Sequence, residues 1–253
     1  GEMPPTYNIE ALKAQAVCAR TFVYSQMKNT QYALYGANID NTTAFQVYNA
    51  SETKQSTDEA VKATAGQVVS CGGSLITCYY FSTSAGKTED MEVWSSSTPD
   101  FIHKVESVDD NSPYYRWTSE LDLSAYNDPQ YGTATGISVD KTSDAGYVLS
   151  LTINYGNKSQ TFTAENDIRK ALGHYQKKVT LNDGSVRENM SMIPSACFSV
   201  SAGANGHYTL SGGGFGQYGA DKLAKAGSSY KDIIGYYYKD VTVVDISSVR
   251  SEQ

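Results

Sequence analysis

Apolar residues recur at three- and four-residue steps near the start of the chain, at Ile9, Leu12, Ala16, Ala19, Val23 and Met27. That spacing predicts one long amphipathic helix with the stripe turned toward a core. Pro4 and Pro5 disfavour helix at Met3 and Pro4, so Glu2 sits on extended or turning backbone, and Asn8 is the natural N-cap. Residues 29–49 are polar and irregular, ending in FQVYNA. Ser56-Thr57-Asp58-Glu59 then predicts a capping box for a short helix through Thr64, stopped near Gly66. QVVSCGGSLITCYYF reads as a hairpin turning at Gly72-Gly73 and leading into the polar loop STSAGKTEDMEVW. From 114 to 162 apolar and polar residues alternate, with turn signals at Asn127-Asp128-Pro129, Asp144-Ala145-Gly146 and Gly156-Asn157, which predicts a strand meander. A short helix over 165–172 closes at Gly173. Strands follow near 196–200 and 207–210, then helices over 220–226 and 229–238, and a last strand VTVVDI. Strands and helices mix without regular βαβ alternation, so the predicted class is α+β with mixed, mainly antiparallel sheets. At 253 residues the chain can be read as one domain over 1–253, with 114–162 as a β-rich lobe.

A formal charge of −7 without a Lys/Arg cluster argues against nucleic acid and against an anionic membrane face. No apolar run approaches the roughly 20 residues that cross a bilayer. The chain opens at Gly1 without an initiator Met, which reads as a trimmed fragment whose export signal or anchor lies upstream. Twenty tyrosines suit stacking on sugar rings but equally suit β-sheets. Among the four cysteines, a turn at Gly72-Gly73 sets Cys78 four strand positions from the level of Cys71, beyond the about 7 Å that a disulfide spans. Cys18 is a small helix hydrophobe, and all four are expected as free thiols.

Glu2 and Arg20 are the first candidates for chemistry. Arg20 follows Ala16 on the edge of the apolar stripe, where a guanidinium seeks an anion or a sugar oxygen. On spacing alone the commoner reading is a solvated Glu and a snorkelling Arg. However, EMPP followed by EALKAQAVCARTF resembles the opening motif of the SpoIID/LytB family. Members are peptidoglycan lytic transglycosylases, and the motif's Glu is regarded as their catalytic acid. The resemblance therefore implies that Glu2 is the acid, that Arg20 positions substrate or orients neighbours, and that both lie by a substrate groove bordered by the long helix and the short C-terminal helices.

Three further blocks carry the resemblance. YYFSTSAGKTE with EVW is similar to the second, a Ser/Thr-rich loop at the groove. It implies a functional Thr88 and a substrate-contacting Ser84. PDFIHKVESV is similar to the third, P-Y-L-K-x-V, with Phe101 in the tyrosine position and His103 in the lysine position. Phe keeps ring stacking without the hydroxyl, and His keeps a donor that is mostly neutral near pH 7. SGGGFGQYGADKLAKAG is similar to the fourth, but passes from Gly216 directly to Gln217 where the family shows G-H-G-V-G-M-S-Q, so the family's histidine has no counterpart.

A lytic transglycosylase works with one carboxylate where most glycosidases use two, because the muramic acid C6 hydroxyl attacks its own anomeric carbon. Glu2 then needs a raised pKa, which burial against Met3 or Phe22 would supply, and Arg20 must stay out of close contact with it. Other motifs carry less. Ser84–Lys87 fits S-x-x-K, but so do 51–54 and 228–231, and the companion S-D-N and K-T-G elements are absent. No metal is expected: NIDNTTAFQVY lacks the Cys and His that some relatives place there, and His174 and His207 lie in no ligand spacing. No cofactor is expected either. The implied partners are peptidoglycan glycan strands, a cell-wall amidase or endopeptidase and membrane proteins of the engulfment machinery, with an extracytoplasmic, cell-envelope location. Two other classes fit the same residues: a non-catalytic peptidoglycan-binding or amidase-enhancing module, and a structural partner in an envelope complex.

Overall fold

The computed structural model describes residues 2–42, 45–46, 53–80, 84–94, 96–107, 109–110, 112–213 and 218–250. The chain forms two compact units, the first from residues 1–81 and 219–253 and the second from residues 82–218. In chain order the first unit begins with α1 (Ile9–Ser25), α2 (Gln55–Ala63), β1 (Gln67–Cys71) and β2 (Ser74–Leu75). The second carries β3 (Gly86–Lys87), β4 (Glu106–Ser107), β5 (Trp117–Asp122), β6 (Asn127–Asp128), β7 (Gly132–Thr133), β8 (Gly136–Thr142), β9 (Val148–Tyr155), β10 (Lys158–Phe162), α3 (Glu165–Gly173), β11 (Gln176–Leu181), β12 (Val186–Glu188), β13 (Phe198–Ala202) and β14 (His207–Gly212). The chain then returns through α4 (Tyr218–Lys225), α5 (Tyr230–Tyr237) and β15 (Val241–Asp245). Among the described residues all strand pairs are antiparallel, and the class is α+β as expected.

In the first unit β1 is the centre of a three-stranded sheet, flanked by β2 and β15. The Gly72-Gly73 turn forms, with both glycines at positive φ, but the strand after it ends at Leu75. Cys78 therefore leaves the hairpin and is buried, and all four thiols are free. Asn8 caps α1, its Oδ1 accepting from Glu10 N at 3.0 Å. The face of α1 that packs on the unit's core differs from the expected stripe. Ala11, Ala14, Val17, Cys18 and Thr21 are buried together with Leu12, while Met27 is exposed. Small side chains let the helix approach β1 closely, and the Thr21 hydroxyl accepts from Val69 N at 2.9 Å. The expected capping box at Ser56 does not form. The helix starts at Gln55, so Ser56 lies in its first turn and donates instead to Pro5 O at 2.6 Å. At the other end of the unit the Ser229–Asp232 pair makes a full capping box for α5.

In the second unit β8, β9 and β10 form the meander read from the alternation, turning at Gly146 and Gly156, both at positive φ. β5 joins a different, five-stranded sheet in the order β12-β11-β5-β14-β13. One core, including Trp117, Leu121, Leu151, Ile153, Ile168, Leu172 and Leu210, unites the two sheets with α3. The last residue of α3 is Gly173, where a Cβ would meet Ser191 O at 2.5 Å, so the position requires glycine.

Candidate functional site

The apolar stripe read at the start of the chain has a second destination. Leu12, Ala16, Ala19 and Val23 line a cavity of about 520 Å³ in the first unit, and Met3 and Val61 add further apolar surface. Glu2 lines the same cavity and is half-buried, just ahead of the turn closed by Tyr7 N donating to Pro4 O at 3.2 Å. The helix thus has two working faces: small residues for the core and a mixed stripe for the cavity beside the carboxylate. Gln15, Gln46, Asp40 and Asn41 supply the other polar groups. Gln46 is fixed by its Nε2, which donates to Ala19 O at 3.0 Å.

Sequence reading missed Tyr80. Its hydroxyl is buried against the side chains of Gln15 and Gln46. Its pKa is raised, first by burial and next by the charge of Glu2, while the nearby Gln46 and Gln15 carboxamides partly offset this. Gln15 Nε2 is likewise buried, and its carboxamide meets the same phenol. One signal for Gln15 was available: it interrupts the Leu12, Ala16, Ala19 stripe with an amide.

Arg20 is held by the corner between α2 and β1. Its Nη1 donates to Thr64 O at 2.7 Å and to Gln67 O at 2.8 Å, and Nη2 reaches Thr64 Oγ1 at 3.5 Å. Burial lowers the pKa of the guanidinium from its ordinary value. Its hydrogen bonds go to peptide carbonyls, so it ties α1 to the turn that starts the sheet.

The remaining described candidates lie in the second unit. Thr88 is buried and bonds the backbone opposite. Its N donates to Val105 O at 2.7 Å, its Oγ1 accepts from Val105 N at 2.8 Å, and the hydroxyl lies within 3.3 Å of Val105 O and 3.4 Å of His103 O. Ser84 is also buried. Its Oγ donates to Ser107 O at 2.5 Å, and its N donates to Asp109 Oδ2 at 2.7 Å. The two hydroxyls staple the loop around β3 to the segment around β4, and so bring Ser84 and Thr88 together with the backbone of His103. Phe101 and His103 are half-buried on that segment. Gln217 lies outside the described residues. Between Thr88 and His103 the sequence reading passed over an ion pair: Glu89, with its side chain 3% exposed, binds Lys104 Nζ through Oε1, and Asp90 Oδ2 stands 3.4 Å from the same ammonium. This raises the pKa of Lys104, chiefly through Glu89. Glu89 Oε2 has no partner among the described residues. Also among them, no group of three or more His, Cys, Asp or Glu side chains is arranged to hold a metal ion, and no helix is long and apolar enough to cross a membrane.

Comparison with known proteins covers nearly the whole chain, including the segment that builds the Glu2 cavity. The SpoIID family model, described as Stage II sporulation protein, matches residues 1–70. The chain is 31% identical to an amidase enhancer of Bacillus subtilis over 96% of its own length, and spans 39% of that relative. It is 30% identical to Stage II sporulation protein D of the same organism, covering 96% of this chain and 71% of the relative. The Stage II sporulation protein D of Bacillus amyloliquefaciens is 28% identical, covering 99% of this chain and 73% of the relative.

Proposed function

The chain belongs to the SpoIID family, and from that premise we propose that it is a peptidoglycan lytic transglycosylase with Glu2 as its acid. The observation that carries this reading is the placement of Glu2: a half-buried carboxyl lining a cavity whose apolar wall is the helix that follows it. Glu2 protonates the glycosidic oxygen between N-acetylmuramic acid and N-acetylglucosamine as the C1–O bond breaks. The C6 hydroxyl of the same muramic acid then closes on C1 to form a 1,6-anhydro ring, and its proton returns to the Glu2 carboxylate, so no second carboxylate and no water are consumed.

Arg20 is a positioning residue in this scheme, acting through the corner that fixes α1. Thr88 and Ser84 shape the second unit's loop, and Phe101, His103 and Gln217 contact glycan. The substrate is a glycan strand stripped of stem peptides, and the protein works outside the cytoplasm at the cell envelope, alongside a wall amidase or endopeptidase. Incubation with purified peptidoglycan, with and without prior amidase treatment, followed by mass analysis, tests the activity. Anhydromuramyl ends should accumulate with the parent and vanish with Glu2→Gln. A second reading, a non-catalytic module that enhances an amidase, is favoured by the name of one relative and by the departures at Phe101 and His103. Tight pelleting with the wall, no soluble products, and faster release by an added amidase would establish it instead.

A further inference from the structure

Two sheets of the second unit part from a single point and leave a groove. Tyr147 makes an isolated antiparallel bridge to Cys197, and Val148 N donates to Ala196 O at 2.8 Å. Beyond that bridge, among the described residues, β13 has only β14 as a strand neighbour and β8 has only β9. Both free edges border one cavity of about 1080 Å³, lined by Ile137 and Val139 from β8 and by Phe198, Val200 and Ala202 from β13. The edge of β13 offers more than apolar side chains. Gly213 N donates to Cys197 O at 3.0 Å and Gly203 N to His207 O at 2.8 Å. With the register from Phe198↔Gly212 to Ala202↔Tyr208, these bonds put the odd-numbered positions of β13 in hydrogen-bonded pairs with β14. The peptide N–H and C=O groups of Phe198, Val200 and Ala202 therefore point away from β14, and no described strand pairs with them. Such a row of open groups is a template for one more strand.

The Cys197 end of this groove is closed and cationic. Ala145 and Gly146 of the β8–β9 turn line the cavity, and Cys197 Sγ lies 3.7 Å from Ala145 O. Arg116 is the one charged residue among the described lining residues. Its exposed guanidinium lies over the Tyr115 ring at 4.1 Å and donates to Tyr115 O at 3.0 Å and Ala85 O at 3.4 Å, with no carboxylate partner among the described residues. Its charge reaches the Cys197 thiol and opposes the burial that pushes this group up to about 11. A strand running toward the closed end has to stop there, beside a cation that lacks an anion.

We propose that the open edge of β13 receives the C-terminal tail of a partner protein as an added antiparallel strand, its apolar side chains in the groove shared with β8 and its terminal carboxylate on Arg116. Main-chain hydrogen bonds to Phe198, Val200 and Ala202 hold the tail, and alternate apolar side chains give it specificity. The surface lies wholly in the second unit and does not depend on the glycan reading of the Glu2 cavity.

The test probes the whole chain with an array of random synthetic hexapeptides anchored through their N-termini, each made with a free C-terminal carboxylate and again as the amide. The tightest peptides are then measured in solution by fluorescence anisotropy. Selected sequences should carry apolar residues at alternate positions, and the acid should bind about tenfold more tightly than its amide, the worth of one charge-assisted hydrogen bond. Arg116→Gln should bring the acid down to the amide and leave the amide unchanged. N-methylation of alternate peptide amides separates strand addition from simple apolar contact: one phase should abolish binding and the other should leave it nearly intact. Val200→Pro should weaken acid and amide alike, because the N–H it removes faces the tail and not β14. Arg116→Gln and the peptide modifications leave the sheet untouched, so they decide the matter even where Val200→Pro does not fold. No selected peptide, equal binding of acid and amide by the parent, or equal tolerance of both methylation phases overturns the proposal. Binding of decanoate in the absence of any selected peptide also overturns it and gives the groove to an aliphatic acid.

Discussion

Replacing Arg20 with methionine separates its structural work from any contact it makes with substrate. The guanidinium donates to two peptide carbonyls, Thr64 O at 2.7 Å and Gln67 O at 2.8 Å, and Thr64 itself is only 1% exposed. Hydrogen bonds from a charged donor contribute about 1.5–3 kcal/mol each. Arg20 is partly exposed, so the lower end applies, and the loss of both comes to about 3 kcal/mol. At about 2–4 °C per kcal/mol for a protein of this size, the melting temperature should fall by about 6–12 °C. Arg20→Lys should recover less than half, since one ammonium cannot reproduce the planar fork across two carbonyls. Melts followed by circular dichroism read the shift, and peptidoglycan cleavage is then compared at a temperature where all variants are folded. If Arg20→Met melts within about 2 °C of the parent, the guanidinium is not the clamp inferred from its geometry. If it melts low yet cleaves normally when folded, its role ends at holding the corner.

Three other perturbations follow from the same reasoning. Lys104→Met strands the Glu89 carboxylate in its buried site and should cost about 3 kcal/mol in urea denaturation, while adding Glu89→Gln should return most of it, an interaction that a double-mutant cycle measures directly. Gly212→Ala drives a methyl into the indole of Trp117, which is 2% exposed, and should cost about 2–3 kcal/mol or prevent folding, readable as loss of the cooperative melt. Asp122 is held well below the ordinary carboxylate range by Lys177 and by Ser124, so the folded state binds fewer protons than the unfolded state once the pH drops below about 4. The stabilisation is complete above that value and is lost as the pH falls, and Asp122→Asn should flatten this acid limb in denaturation curves taken from pH 5 to pH 2.

Local signals in the chain translated well where a single residue type has one physical use. Asn8 before the first apolar step caps α1, and the glycines at 72, 73, 146 and 156 turn the chain where the alternation breaks. Other features depended on partners distant in sequence. The hairpin strand after Gly73 stops at Leu75 while β15 covers the whole opposite edge of β1, and no local pattern announces that distant partner. β11 was not foreseen because its lysines hide the alternation. In the sheet, Lys177 and Lys178 pair with Asp122 and Glu120 across the strand. The helix stripe was legible as apolar, but whether it met a core or a cavity depended on small residues one position away. For the site, resemblance pointed to Glu2, Arg20, Ser84 and Thr88. The Tyr80 phenol against the Gln15 and Gln46 carboxamides, and the pairing of Glu89 with Lys104, emerge only from burial and contact.

The first unit is stitched from both ends of the chain, and this bears on how the protein must be made. Asn8 N donates to Asp221 Oδ1 at 2.7 Å, Tyr230 N donates to Glu10 Oε2 at 2.8 Å, and β1 pairs along its length with β15. As the polypeptide emerges from a ribosome or threads through a translocation pore, the second unit is complete while the helix that follows Glu2 still waits for its clasp. Such late closure over a long intervening stretch is slow. The half-made sheet edge and the bare helix face are open to proteases and to aggregation meanwhile. The clasp on α1, though not the residues that line the Glu2 cavity, therefore waits for α5 and the final strand.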